Sequence, residues 1–177
     1  IQYAMDLDVD IQGFSEVNAN FQKTSVRKLF QDTVTILDKA AKATWATSSL
    51  PNPSDFKPGG SGLVTFGRTA ARVTESGHDG LGRWAYQVLN RDLRQILIMN
   101  IYQCCEVSST SNGISTACQQ QQILLREQNK SPEPRRHFRK DLIDFLWKRR
   151  QANGNIVPII MGDWNDVSEG TELRSEE

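Results

Sequence analysis

The spacing of apolar residues changes several times along the chain, and each change marks a predicted element. Val9-Asp10-Ile11-Gln12-Gly13-Phe14-Ser15-Glu16 alternates, which places Val9, Ile11 and Gly13 on one face and predicts a short strand leading into a carboxylate. Val26, Leu29, Phe30, Thr33, Ile36, Leu37, Ala40 and Ala41 then recur at helical spacing, predicting an amphipathic helix over about residues 19–44. Residues 48–62 are rich in Ser, Pro, Asn and Gly and read as a loop. Three short strands follow at residues 63–66, 71–74 and 84–89. The near-continuous apolar run Gln95-Ile96-Leu97-Ile98-Met99-Asn100-Ile101-Tyr102 reads as a central strand with a polar tip. Helices are predicted at about 117–129 and 135–151, the second with Phe138, Leu142, Phe145, Leu146 and Arg149 down one side, and Ser131-Pro132-Glu133-Pro134 separates them. Before all of these, Ile1, Ala4, Met5 and Leu7 suit the tail of a helix.

The most informative stretch is Ile156-Val157-Pro158-Ile159-Ile160-Met161-Gly162-Asp163-Trp164-Asn165-Asp166. A β-branched run that stops at Gly-Asp predicts a buried strand delivering a carboxylate and a carboxamide to a sheet end, where α/β enzymes keep their chemistry. Proline cannot donate to a ladder, so Pro158 predicts a strand that begins there and ends at Met161. Gly162 permits a sharp turn, and Asp163 and Asn165, two apart, can converge on one ligand. Asp and Asn are also common turn formers, so the pair admits a plain strand-end turn as well.

With 177 residues, 38% of them hydrophobic and 24% charged, the chain has the make-up of one globular domain or most of one. Its 21 basic and 21 acidic side chains cancel, so no global field draws it to nucleic acid and any phosphate recognition is local. The basic residues of the last helix, Arg135, Arg136, Arg139, Lys140, Lys148, Arg149 and Arg150, read first as a solvated face. No apolar run is long enough to span a bilayer, and the first ten residues lack the features of a signal peptide. Adjacent Cys104 and Cys105 with a distant Cys118 fit neither a disulfide framework nor a zinc spacing, which suggests reduced thiols and an intracellular protein.

Three predicted strands thus end in chemistry-bearing residues: Glu16, Tyr102 and the Asp163/Asn165 pair. Taken in order, Asp10-Ile-Gln-Gly-Phe-Ser-Glu16, Gly60-Ser-Gly-Leu-Val64, Ile98-Met-Asn-Ile-Tyr102 and Met161-Gly-Asp-Trp-Asn165 resemble the motifs of the endonuclease/exonuclease/phosphatase superfamily, the last being the most specific. The resemblance implies an α/β fold of deoxyribonuclease-I type, a two-sheet mixed β-sandwich flanked by helices with the active site at one end. It implies metal-assisted hydrolysis of a phosphodiester by a nuclease-like domain, with the retroelement branch among the candidates, acting on nucleic acid or another phosphoester. Glu16 would be the ligand of Mg2+, or of Mn2+ in its place, since a hard carboxylate oxygen suits an ion that keeps several waters. Asp163 would orient or deprotonate the attacking water, Asn165 would donate to a phosphate oxygen, and Tyr102 would hydrogen-bond the scissile phosphate.

The family's Asn-bearing first strand and its later Ser-Asp-His motif are not among these residues, so the resemblance implies a domain incomplete at both ends or a degenerate copy. His78 and His137 occupy no matching motif position and read as surface residues. Two other readings stay open. One is a phosphate- or nucleic-acid-binding remnant that keeps the fold without the reaction. The other is an aspartyl-phosphate (haloacid dehalogenase-like) phosphatase, in which Asp6 of Asp6-Leu7-Asp8-Val9 would be the nucleophile and Gly162-Asp163-Trp164-Asn165-Asp166 the acidic motif.

Overall fold

The computed structural model describes residues 8–91, 94–105 and 113–165, with the side chain of residue 91 excepted. The helix tail and the nucleophile motif expected at residues 1–7, part of the loop expected at 108–116, and Asp166 lie outside these residues. Among the described residues, seven strands form two sheets. The first has the order β1 (Ile11–Ser15), β3 (Ser61–Thr65), β2 (Lys42–Ala46), antiparallel throughout. The second has the order β4 (Val73–His78), β5 (Trp84–Arg91), β6 (Arg94–Tyr102), β7 (Ile156–Asp163), in which only the β6–β7 pair is parallel. Helix α1 (Thr24–Leu37) follows β1, the single turn α2 (Gly67–Ala70) follows β3, and α3 (Ala117–Glu127) and α4 (Pro134–Ala152) make the crossover from β6 to β7.

The apolar patterning explains the layering. Along β6, Ile96 and Ile98 face Ala46, Leu63, Ala85 and Leu89 between the sheets. Leu97, Met99 and Ile101 face the other way, onto Phe138 and Leu142 of α4. A strand buried on both faces must be apolar at nearly every position, which is why this one reads as a continuous run. The central strand of the first sheet repeats the device, with Leu63 turned to the other sheet and Val64 turned to Val34 of α1. The result is a two-sheet sandwich with a helix packed on each outer face, as expected. Among the described residues no helix is long and apolar enough to cross a membrane.

Two expectations are corrected. The helix predicted over 19–44 spans only Thr24–Leu37, and Lys42–Ala46 is β2, paired with β3 from Lys42↔Thr65 to Ala46↔Ser61. Asp38 ends the helix: its carboxylate accepts from the Ala40 N–H at 2.8 Å and from the Gly67 N–H at 2.6 Å, tying the chain reversal to the end of β3. Local periodicity could not reveal this, since one partner of that turn, Gly67, lies far outside the helical window. The strand predicted at 158–161 spans Ile156–Asp163, with Pro158 inside it opposite Leu97, and it is not the buried strand expected, since Val157 and Ile159 are 48% and 49% exposed. It tolerates proline because, among the described residues, β7 is the edge of its sheet, where one side of the backbone has no ladder to serve.

Polar side chains join the sheets beneath one end of the sandwich. Buried Asn100 donates from Nδ2 to the Phe14 carbonyl at 2.7 Å and to Ser61 Oγ at 2.9 Å, and Ser61 Oγ donates to the Asn100 carbonyl at 2.7 Å. Ser15 Oγ donates to the Ile101 carbonyl at 3.0 Å. Asn100 and Ser61 are buried and Ser15 is half-buried, each with a partner, so separating the sheets would leave several polar atoms unpaired.

Candidate active site

Strand β1 ends one residue before Glu16, and Glu16 adopts a left-handed backbone with φ 54°. That conformation costs a side-chain-bearing residue about 1 kcal/mol, and a non-glycine residue held there is a reason to look for function. The neighbouring loop holds it. Val17 N–H donates to the Gly60 carbonyl, Asn18 N–H donates to the Gly59 carbonyl at 2.8 Å, and the Asn18 side-chain oxygen accepts from the Gly59 N–H at 2.8 Å. So fixed, the Glu16 carboxylate accepts a 2.6 Å hydrogen bond from Tyr102 Oη. The two residues close a cleft of about 240 Å3, also lined by Asn18, Gly59, Cys105 and Thr116.

Tyr102 is 3% exposed and packs against Cys104, Ala117 and Cys118. Burial pushes its phenol up, with the hydrogen bond to the Glu16 carboxylate adding to the effect, so it remains a proton donor. Cys104 is raised by its hydrogen bond with Cys118 and by burial, so its thiol is not a nucleophile at neutral pH.

The Asp163/Asn165 pair lies one strand away, with Asp163 in register beside Tyr102. Gly162 has φ +125°, and a β-carbon there would lie 2.1 Å from the Ile101 carbonyl oxygen, so the strand-end turn requires glycine. Asp163 Oδ1 accepts from the Asn165 N–H at 2.9 Å, which orients the carboxylate. Asn165 donates one Nδ2 hydrogen to the Gln103 carbonyl at 2.7 Å and retains its second. Gln103 is the residue that sequence reasoning missed. Its N–H donates to the Asp163 carbonyl at 2.9 Å and its Nε2 to the Trp164 carbonyl at 2.8 Å, so it grips the turn at three points. A lone Gln after an apolar run carries no motif, and nothing in the sequence marks it. Trp164 anchors the turn from the other side, edge-on to Phe138 at 6.0 Å.

The structure therefore brings Glu16 and Tyr102 into direct contact and sets the Asp163–Asn165 turn beside them through β6. His78, exposed at the end of β4, and His137, hydrogen-bonded to Ser131 Oγ on α4, do not line this cleft. Among the described residues no group of three or more His, Cys, Asp or Glu could cage a metal. A lone exposed carboxylate at a cleft nevertheless fits Mg2+, which is usually held by one or two carboxylates plus waters and substrate phosphates.

No family model matches the chain, and no curated protein does. Solved structures do. The human Nocturnin catalytic domain with bound sulfate anion superposes with a TM-score of 0.51 at 14% identity, covering 93% of this chain and 54% of that one. Beta toxin from Staphylococcus aureus gives 0.49 at 13%, covering 93% and 55%, and D. rerio TDP2 complexed with single-strand DNA product gives 0.45 at 14%, covering 94% and 52%. The chain spans about half the length of these structures, and at such identity the likeness is one of fold. Two sheets and flanking helices, superposing on such a structure, give this chain the deoxyribonuclease-I-like fold.

Proposed function

We propose that this chain belongs to a metal-dependent phosphodiester hydrolase of nuclease type, with Glu16, Tyr102, Asp163 and Asn165 as its reactive set. The observation that carries the reading is the 2.6 Å contact between Tyr102 and a Glu16 whose backbone is held in a costly conformation. Such strain persists only where the surroundings enforce it, and here the enforced product is a carboxylate and a phenol at one cleft.

Each residue has a role its surroundings support. Glu16 is the oxygen ligand for Mg2+ or Mn2+; when bound, that ion supplies charge neutralisation at phosphate oxygens and the leaving oxygen. Tyr102, kept protonated by burial, donates to anionic oxygen, as it does to Glu16, and the same O–H suits a phosphate oxygen. Asp163, with one oxygen held by the Asn165 N–H, offers the other as acceptor for a proton of the attacking water. Asn165 offers its second amide hydrogen to a phosphate oxygen.

The test is Mg2+-dependent, EDTA-sensitive cleavage of a plasmid and of bis(p-nitrophenyl) phosphate by the chain and by its Glu16→Gln and Asp163→Asn variants. Each substitution is expected to abolish cleavage. Unchanged activity in either variant would sink the role assigned to that residue. Oligonucleotide binding without any cleavage would move the binding-remnant reading to the front, a reading favoured by the lack of a histidine at the cleft.

A further inference from the structure

Val17 is flanked by two residues with left-handed backbones, Glu16 at φ 54° and Asn18 at φ 55°. Asparagine tolerates that region better than most residues, because its short polar side chain can bond locally. Asn18 is bonded at every polar atom but one. Its N–H donates to the Gly59 carbonyl at 2.8 Å, its carbonyl accepts from the Lys57 N–H at 3.3 Å, and its Oδ1 accepts from the Gly59 N–H at 2.8 Å. The partner at Gly59 is a backbone donor, so the side-chain oxygen has to be the atom that faces it, and the orientation of the amide is fixed. That leaves Nδ2, with two hydrogens and no partner among the described residues.

Gly59 settles where this amide lies. At φ +81° it brings its loop so close to the cleft that a β-carbon on it would stand 3.1 Å from Tyr102 Cε1 and 2.6 Å from Ala117 Cβ. Asn18, bonded to Gly59 through backbone and side chain alike, is thereby held near the phenol, and the two residues line one cleft with Glu16. Asn18 is half-buried, so a solute in the cleft can reach it. A residue needed only to hold this turn could equally be aspartate, whose carboxylate tolerates the left-handed region and would accept from the Gly59 N–H more strongly than an amide does. What the amide adds is a neutral donor in a cleft that already carries one carboxylate. A phosphodiester supplies the matching acceptors, two non-bridging oxygens that share a negative charge. We propose that Asn18 is a substrate-binding residue of this cleft, its Nδ2 donating to a non-bridging oxygen of the same phosphate that receives the Tyr102 hydroxyl. This rests on the reading of the cleft as a phosphodiester site. Two fixed donors make the cleft select an anionic diester over a neutral ester of similar shape, since hydrogen bonds to a charged acceptor are the stronger ones.

The experiment follows the side-chain amide resonances of Asn18 by heteronuclear NMR on the isotope-labelled full chain as dimethyl phosphate is added, in EDTA so that no metal contributes. One of the two amide protons should move downfield and saturate. Trimethyl phosphate, similar in shape and uncharged, should leave both in place. Asn18→Asp keeps the bond to Gly59, so it should melt near the parent chain. It should nevertheless bind dimethyl phosphate about 10- to 100-fold more weakly, the effect of losing one hydrogen bond to a charged group. Four results would overturn the assignment: Tyr102 and Glu16 resonances that respond while the Asn18 amide does not, an equal shift with trimethyl phosphate, undiminished binding by Asn18→Asp, or no response anywhere in the cleft. Because the shift is read on the parent chain, a variant that failed to fold would leave it decisive. Binding is read without metal or turnover, so the two readings separate. Magnesium-dependent cleavage with an unmoved Asn18 amide would keep the hydrolase and remove Asn18 from it, while an Asn18 shift in a chain that cleaves nothing would do the reverse.

Discussion

Tyr102 Oη donates to Glu16 Oε1 across 2.6 Å, and the two residues belong to the ends of strands in different sheets. The contact exists only where the sandwich closes. Because Glu16 is exposed, water can replace the phenol when it is removed. Tyr102→Phe should therefore lower stability by less than about 1 kcal/mol, while reducing kcat for diester cleavage by about 100-fold. Thermal melting and steady-state kinetics on the same preparation check both halves. A variant that cleaves normally would remove Tyr102 from the reaction, and one that fails to fold would make the pair structural.

Gly13 is packed directly against Asn100, and a β-carbon on it would lie 2.1 Å from Asn100 Oδ1. The Asn100 side chain is fixed between the sheets by its bonds to Phe14 and Ser61, so it has little room to retreat. Gly13→Ala should destabilise the chain by about 1–3 kcal/mol through overpacking, and a urea melt reads this directly. An unchanged midpoint would mean that the sheets can part by the required distance at no cost.

Lys57 has no exposed surface, and its ammonium donates to the carbonyls of Ser48 and Leu50 and to Gln22 Oε1. Lys57→Met would leave buried carbonyls without a donor, and should cost about 2–3 kcal/mol. Burial also lowers the Lys57 pKa to about 8. The unfolded chain, at the ordinary lysine value, then binds more protons than the folded one between about pH 8 and 10, so stability rises with pH across that window. Urea midpoints at pH 7.5 and pH 9.5 should show the rise in the parent chain, and its loss in Lys57→Met identifies the group responsible.

Arg83, 4% exposed, bonds Asp79 at 2.6 Å and Asp141 of α4 at 2.9 Å, while its carbonyl accepts from the Tyr102 N–H at 2.7 Å. Arg83→Gln removes a guanidinium from between two carboxylates, and is expected to cost about 3–5 kcal/mol. If calorimetry shows less than about 1 kcal/mol, the buried pair is replaced by water at no penalty.

Much of this was legible in the sequence wherever pattern and burial coincide. The alternating segment before Glu16 and the doubly buried run before Tyr102 have the periods their surroundings require, whereas the apolar run before Asp163 does not, since Val157 and Ile159 are exposed. What escaped notice depends on partners distant in sequence. Lys42–Ala46 is a strand because β3 lies beside it, although its own residues continue a helical spacing. Gln103 positions the Asp163 turn through two backbone bonds and one side-chain bond that no spacing announces. That Arg149 of the basic helix is tied to Glu75 and Tyr86 follows from which side chains oppose it. The proline inside β7 was misleading for a similar reason, since its acceptability depends on the strand being at an edge.

Three of the bonds that build the site join residues 86 positions apart: Ser15 to Ile101, Asn100 to Phe14, and Tyr102 to Glu16. Contacts between such distant points of a chain must overcome a large loop-closure entropy before they yield any energy, so they form late. During synthesis, a nascent chain that ends before β6 displays Glu16 with nothing opposite it. The cleft is complete only when the two sheets are docked, and any opening that parts the sheets dismantles it.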